Sequence, residues 1–241
     1  MPLTETTLEE KYSGFMTYLD EWRMRLLPET IEKLLAQADG AEHVAVFAVD
    51  LTNGFCHKGQ LHSDRVKNIL PVVVTLLNRL HDAGVKHFIL PQDCHAVNSL
   101  EFNEFPEHCV QNTTEAQTVP ELTQLPFANL LTVLPKSTLS SAIGTGLDDW
   151  LQAHPEVTHR VVVGDCTDLC VYQLAMHLKL TANAANRLLP VIVPYDGVAT
   201  YDLPEDLARD LSVYAHPGDL FQALFLYHLA LNGVRVVDSL T

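Results

Sequence analysis

A cysteine at the predicted start of a helix is the first residue of this sequence that could do chemistry. Cys170 closes a stretch, residues 161–170, in which a buried apolar strand is followed by a tight turn. Backbone N–H groups at a helix start carry partial positive charge and stabilise the thiolate, which is the nucleophilic form of cysteine. Two ionisable residues, Asp50 and Lys136, follow other predicted strands at matching places. Together the three residues predict nucleophilic catalysis by a thiol.

Asp50, Lys136 and Cys170 make chemical sense as a unit. A carboxylate within hydrogen-bond reach of a thiol can take its proton and later give that proton to a leaving amine. A lysine beside both groups keeps the carboxylate ionised and favours the thiolate. Each residue alone has a simpler explanation, as a loop cap (Asp50), a solvated charge (Lys136) or a small core residue (Cys170). Their joint placement favours the catalytic interpretation.

A second group of residues has the composition of a metal site. Asp93 and His95 point the same way, because side chains at i and i+2 of an extended segment share a face. Glu101 and His108 come from the loop that follows. Two imidazoles and two carboxylates suit a divalent transition metal such as zinc, manganese or iron. The sequence has twelve histidines, which raises the chance rate of such a pattern. Nine of the other ten are assigned to the surface or to packing: His57, His62, His81, His87, His154, His159, His177, His216 and His228.

Strands and helices alternate from residue 44 onward. Six apolar segments are predicted strands: 44–50, 87–91, 130–134, 160–164, 190–194 and 234–237. Predicted helices lie between them: 63–83, 146–153, 168–185, 204–214 and 218–231. Near-continuous Val, Ile and Leu in the strands indicates burial on both faces. The prediction is an α/β fold with a doubly wound, mostly parallel six-stranded sheet between helix layers. In such sheets ligands bind beyond the carboxyl ends of the strands, where the candidate residues fall.

The two segments outside this alternation differ in character. Thr7 and Glu10 have capping-box spacing, and apolar residues between 12 and 26 follow the helical period. We therefore predict a helical extension, residues 1–40, before a main domain, residues 41–241. The apolar stripe of the extension either packs on the main domain or forms a subunit contact. Residues 94–129 lack clear periodicity, and a loop of that length is usually functional.

Composition excludes several function classes. A net charge of −15 argues against a nucleic-acid backbone or an anionic membrane as partner. The sequence contains no uninterrupted run of 18 apolar residues, so we predict no membrane-spanning helix. Residues 1–5 lack the pattern of a signal peptide. We therefore expect a cytoplasmic protein. Five cysteines without a C-x-x-C pair argue against a disulfide framework or a structural zinc site.

Seven motifs carry a resemblance to a known family: 49–56 (VDLTNGFC), 93–95 (DCH), 99–102 (SLEF), 105–110 (FPEHCV), 135–137 (PKS), 164–171 (GDCTDLCV) and 196–201 (DGVATY). On these motifs the chain resembles the isochorismatase-like cysteine hydrolases and, within them, the nicotinamidases. The resemblance spans roughly residues 43–238. The candidate metal residues narrow it to nicotinamidases, because relatives that act on isochorismate or carbamoyl groups generally lack that set.

The resemblance implies a role for each candidate. Asp50 is the general acid and base, Lys136 its electrostatic partner and Cys170 the nucleophile. The backbone N–H groups of Cys166 and Cys170 form the oxyanion hole, with a cis peptide bond before Cys166. The implied reaction converts nicotinamide to nicotinic acid and ammonia through a cysteine thioester, within NAD salvage.

The resemblance also implies how a pyridine carboxamide binds. One divalent metal, zinc or else manganese or iron, contacts the pyridine nitrogen and orients the ring. Phe55 and Phe105 stand at the positions that wall the ring. The implied metal ligands are Asp93, His95, Glu101 and His108. Family members are often oligomeric, so the resemblance also includes a homo-oligomer among the expected states.

Three alternatives remain open from the sequence. Another amide or carbamoyl hydrolase of the same superfamily would keep Asp50, Lys136 and Cys170 but ignore the pyridine ring. A vinyl-ether hydrolase of the isochorismatase type is disfavoured, because that chemistry does not need a cysteine nucleophile. A non-catalytic binding or scaffold protein on this fold would have an unreactive Cys170.

Overall fold

A parallel β-sheet forms the centre of the protein. The computed structural model describes residues 7–241. Across that range the sheet has seven strands: β1 (Val44–Val49), β2 (His87–Asp93), β3 (Leu131–Lys136), β4 (His159–Asp165), β5 (Val191–Pro194), β6 (Val198–Ala199) and β7 (Arg235–Val237). Their order is β3-β2-β1-β4-β5-β7, with β6 paired to β4. Every recorded strand pair is parallel.

The predicted α/β fold with a mostly parallel sheet is confirmed. All six predicted strands are present within one or two residues of their expected ends. The structure adds a seventh, β6, which has only two residues. A two-residue strand is too short for its hydrophobic pattern to be recognised, so periodicity could not have predicted it.

Nine helices accompany the sheet in the described part of the chain. They are α1 (Leu8–Met24), α2 (Ile31–Ala38), α3 (Asn53–Cys56), α4 (Asp64–Asp82), α5 (Pro120–Thr123), α6 (Leu147–Ala153), α7 (Cys170–Ala184), α8 (Glu205–Leu211) and α9 (Gly218–Leu231). Alternate residues of β1 enter two cores on opposite sheet faces. One core contains α2 and α4, and the other contains α6, α7 and α9. This two-sided burial explains why the strands read as continuous apolar runs.

The N-terminal helix packs on the last helix. The predicted capping box is present, since the Glu10 N–H donates to Thr7 Oγ1 at 3.2 Å and the Thr7 N–H donates to Glu10 Oε2 at 3.0 Å. Three aromatic side chains of α1 contact the Tyr227 ring of α9: Phe15, Tyr18 and Trp22. Part of the predicted stripe therefore packs on the main body of the protein. The signal-peptide expectation concerns residues 1–5, which lie outside the described residues.

Two further sequence expectations concern the chain as a whole. No helix within residues 7–241 is both long and apolar enough to cross a bilayer. All five cysteines are free.

The long segment 94–129 contains a 3₁₀ turn, Leu100–Asn103, and the short helix α5, and it folds over the carboxyl end of the sheet.

Gly164 allows β4 to approach β1 closely. Its φ is +112°, and a Cβ there would lie 2.1 Å from the carbonyl oxygen of Val49. We expect Gly164→Ala to lower the free energy of unfolding by about 3 kcal/mol or more, because a strained backbone and a backbone clash act together. Gly144→Ala is the matched control, since Gly144 has φ +70° and open space around it, so that only strain of about 1 kcal/mol applies. Equal losses in denaturant titrations of the two variants would contradict the close-approach argument.

Candidate active site

The carboxyl ends of four neighbouring strands bring the predicted catalytic residues together. Asp50 follows β1, Asp93 ends β2 and Lys136 ends β3. Asp93 and Lys136 are partners in the β2–β3 register. Cys170 begins α7, one turn after β4. Because β3, β2, β1 and β4 are consecutive in the sheet, these side chains meet at one edge.

Lys136 links the other three side chains. Its Nζ lies 2.8 Å from Asp50 Oδ2, 2.5 Å from Asp93 Oδ1 and 3.3 Å from Cys170 Sγ. The Lys136 side chain is fully buried. Burial alone would lower the pKa of this ammonium, but Asp50 and the other acidic groups outweigh burial and raise that pKa well above its usual value. The lysine therefore remains charged between two carboxylates and a thiol.

The backbone aims the Asp50 carboxylate at this centre. Asp50 has φ 53°, a left-handed conformation that aspartate tolerates better than most residues. Its N–H donates to the carbonyl of Pro91 at 2.9 Å, and its Oδ1 accepts the N–H of Asp93 at 2.7 Å. The first bond holds the backbone and the second holds Oδ1, so the other carboxylate oxygen, Oδ2, faces Lys136.

Burial determines the resting protonation of Asp50 and Cys170. It raises the pKa of Asp50 to about 6, helped by the charge of Asp93 and opposed by Lys136. It also raises the pKa of the Cys170 thiol well above its usual value, although Lys136 acts in the opposite direction. At neutral pH the pair is a neutral thiol beside an ionised carboxylate. At this thiol, desolvation of the sulfur outweighs the nearby positive charge that favours a thiolate.

The turn between β4 and α7 presents two free donors. Neither the N–H of Cys166 nor that of Cys170 donates a hydrogen bond to any group within the described chain. The peptide bond between Asp165 and Cys166 is cis, as the resemblance implies. Both cysteines border the same pocket. Two unpaired N–H groups beside a thiol are the arrangement that an oxyanion hole requires.

Three of the four expected metal ligands converge. Ligand atoms of Asp93, His95 and His108 all lie within 4.8 Å of one another. Nε2 of His95 lies 3.4 Å from Asp93 Oδ1, and Nε2 of His108 lies 3.5 Å from Asp93 Oδ2. Glu101 is outside this group, but it borders the same pocket from the 3₁₀ turn.

The unsatisfied atoms of this cluster fit a divalent metal. His95 Nε2 and Glu101 Oε1 are buried and have no hydrogen-bond partner among the described residues. His108 Nδ1 lies 2.7 Å from the carbonyl oxygen of Pro106. A carbonyl can only accept, so Nδ1 carries a proton and Nε2 is the nitrogen that is directed at Asp93. Imidazole nitrogens and carboxylate oxygens that lack protons are the donors that zinc and related metals bind.

One pocket joins the two groups of residues. It is bordered by Asp50, Cys166 and Cys170 on one side and by metal candidates on the other. The two aromatic residues expected to wall a ring, Phe55 and Phe105, border it and lie 5.6 and 6.5 Å from the His108 ring, centre to centre. Five bordering residues were not predicted from the sequence: Leu61, Leu139, Asp165, Leu169 and Tyr201. Of these, Asp165, Leu169 and Tyr201 fall within recognised motifs, whereas both other leucines lie in loops without a polar pattern.

Comparison with known proteins gives consistent results. A family model described as the isochorismatase domain matches residues 44–212. Nicotinamidase 1 of Arabidopsis thaliana is 28% identical over 244 residues, which cover 93% of this chain and 97% of the plant protein.

Two solved structures share the fold. The pyrazinamidase of Pyrococcus horikoshii in complex with zinc has a TM-score of 0.62 at 21% identity, covering 81% of this chain and 98% of its own. The N-carbamoylsarcosine amidase of Thermoplasma acidophilum has a TM-score of 0.59 at 21% identity, covering 80% and 95%. At these identities the likeness extends to the fold alone.

Proposed function

Because the chain belongs to the isochorismatase family, we propose that it is an amidohydrolase that converts nicotinamide to nicotinic acid and ammonia. The observation that carries the proposal is the single pocket in which Cys170 and Asp50 face the metal candidates. The similarity to Arabidopsis nicotinamidase 1 over nearly the whole chain supports the same reaction. The proposal includes a hydrolase domain over residues 41–241, a helical extension over residues 1–40 and a role in NAD salvage in the cytoplasm.

The first half of the reaction forms a thioester. The Asp50 carboxylate takes the thiol proton of Cys170, and the sulfur attacks the carboxamide carbon. Negative charge then develops on the amide oxygen, which the N–H groups of Cys166 and Cys170 stabilise. Loss of one such donor typically costs about 3–4 kcal/mol of transition-state stabilisation. Asp50 returns its proton to the departing nitrogen, and ammonia leaves.

The second half hydrolyses the thioester. Asp50, again a carboxylate, takes a proton from a water molecule that attacks the thioester carbon. The same two N–H groups stabilise the second tetrahedral intermediate, and the thiol of Cys170 is restored as the acid leaves. Lys136 stays protonated throughout, so it offsets the negative charge that moves between Asp50 and Cys170.

Recognition of the ring falls to the other side of the pocket. The residues that would hold a divalent metal are Asp93, His95, Glu101 and His108, and we propose zinc, with manganese or iron as alternatives. A metal bound there supplies a point of attachment for the pyridine nitrogen. Phe55 and Phe105 flank the space that the ring would occupy.

His95→Ala tests the metal site directly. We expect the variant to lose metal affinity by at least about 100-fold, because it removes one of two imidazoles from a small donor set. Elemental analysis of purified protein measures this. His177→Ala is the control, since His177 binds Asp148 near the surface. Unchanged metal content in the His95 variant would remove His95 from the site. Elemental analysis of Glu101→Gln tests Glu101, the proposed ligand that lies outside the cluster of the other three.

A substrate panel tests the function. Ammonia release is measured with nicotinamide, with benzamide, which lacks the ring nitrogen, and with N-carbamoylsarcosine. We expect nicotinamide to react fastest, because only it combines an amide with a metal-binding ring nitrogen. Equal rates for benzamide and nicotinamide would refute ring recognition by a metal. Preference for the carbamoyl compound would make this chain another amide hydrolase of the family, and no release from any amide would favour a binding protein.

A further inference from the structure

A buried hydrogen-bonded pair, Asp168 and His216, lies beside the turn that carries the proposed oxyanion hole, and the mechanism above does not use it. Asp168 lies midway between Cys166 and Cys170 and is 5% exposed. Its Oδ1 accepts the hydroxyl of Thr200 at 2.5 Å, and its Oδ2 lies 2.8 Å from Nε2 of His216. His216 is likewise 5% exposed.

Hydrogen bonds hold the His216 ring at both of its nitrogens. Its Nδ1 lies 2.9 Å from the carbonyl oxygen of Tyr201, which can only accept. Its Nε2 lies opposite the carboxyl group of Asp168. The ring therefore connects the backbone at Tyr201 to the Asp168 side chain.

The pair connects the turn to the segments outside it. The N–H of Thr167 donates to the carbonyl of Ala199 at 2.9 Å, which ties the turn to β6. His216 and Leu203 form an isolated antiparallel bridge with two hydrogen bonds of 2.8 Å. The Tyr201 ring stacks on His216 with 3.8 Å between ring centres, and Tyr201 borders the pocket. The Asp168–His216 pair thus connects the turn to one wall of the pocket.

We propose that Asp168 and His216 are positioning residues for the reaction. Their hydrogen bond holds the turn so that the N–H groups of Cys166 and Cys170 point into the pocket, where they meet the developing oxyanion. Neither residue touches the space for substrate, so both act through the backbone between the two cysteines. The expected effect on kcat rests on the proposed function. The expected effect on the structure of the turn rests on the hydrogen bonds alone.

The kinetic test replaces His216. We expect His216→Leu to lower kcat by about 30-fold or more while KM changes by less than about threefold, because displaced donors weaken the transition state more than substrate binding. His216→Gln keeps a donor for Asp168 and is expected to recover most of the lost rate. Asp168→Asn keeps the shape but removes the charge, so it serves if the leucine variant does not fold. Tyr214→Ala, a 97% exposed residue of the same segment, is the control and should match the wild type.

A second readout does not depend on activity. Hydrogen exchange is measured by mass spectrometry for the peptide that contains residues 165–171. We expect faster exchange in His216→Leu and Asp168→Asn than in the wild type or in Tyr214→Ala. If the wild type does not hydrolyse nicotinamide but exchange rises, the proposed substrate is wrong and the positioning role stands. Unchanged exchange in His216→Leu and Asp168→Asn, or kcat within twofold of the wild type in folded His216→Leu, would overturn the positioning role.

Discussion

Cys170→Ala is expected to abolish turnover of nicotinamide while the protein remains folded. The Cys170 sulfur atom is the group to which the carboxamide carbon becomes bonded. The other thiol that borders the pocket, Cys166, hydrogen-bonds Asp165, whereas the Cys170 sulfur is the one that Lys136 contacts. We expect a loss of at least about 10⁴-fold in kcat, the size seen when the nucleophile of a covalent enzyme is removed. Ammonia release under saturating substrate measures kcat, and circular dichroism with a thermal melt measures folding. The loss of one buried sulfur should change the melt only slightly.

The matched control for this variant is Cys56→Ala. Cys56 is fully buried, and its thiol has no hydrogen bond to a lysine or a carboxylate among the described residues, in contrast to Cys170. It does not border the pocket. We expect Cys56→Ala to keep the wild-type kcat and to lower stability through the cavity it leaves. Substantial turnover by Cys170→Ala, with the control also active, would make the nucleophile assignment wrong.

Lys136→Met is expected to destabilise the protein and to abolish activity. The change removes a buried ammonium and leaves Asp50 and Asp93, whose oxygens it contacts at 2.8 and 2.5 Å, facing each other without compensation. Removing one member of a buried charge cluster typically costs about 3–5 kcal/mol. Denaturant titration measures the free energy of unfolding, and an ammonia assay measures the rate.

Two further variants make the charge argument testable. Lys136→Met combined with Asp50→Asn removes one charge of each sign, so we expect it to recover part of the lost stability while remaining inactive. Lys67→Met removes an exposed lysine of α4 and should change stability by no more than about 0.5 kcal/mol. If the double variant were as unstable as Lys136→Met, uncompensated charge would not be the cause of the loss.

The sequence predicted the placement of the site well, for a simple physical reason. Strands buried on both faces are long apolar runs, so their ends are visible, and Asp50, Lys136 and Cys170 stand just where those runs stop. Parallel strands bring all such ends to one edge. The prediction therefore needed no knowledge of strand order. For example, β1 and β4 are distant in the chain but are neighbours in the sheet.

The protonation of Cys170 could not be predicted in the same way. A helix start and a lysine are visible in the sequence, and both favour a thiolate. The extent of burial is not visible, and here it dominates the pKa of the thiol. Likewise, assigning His216 to surface or packing left out its bond to Asp168, which joins residues 48 positions apart after two strands and two helices between them have folded.

The order of the strands makes activity a late event in folding. β1 is central and pairs with β2 on one side and with β4 on the other, where Val46 is the partner of Val161. Such distant pairings lose much chain entropy before they gain contacts, which slows folding. A growing chain that ends before β4 contains the two carboxylates and the lysine of the site but not the Cys170 thiol. Hydrolysis regained during refolding would therefore report completion of the sheet, and no partial fold would release ammonia on the way.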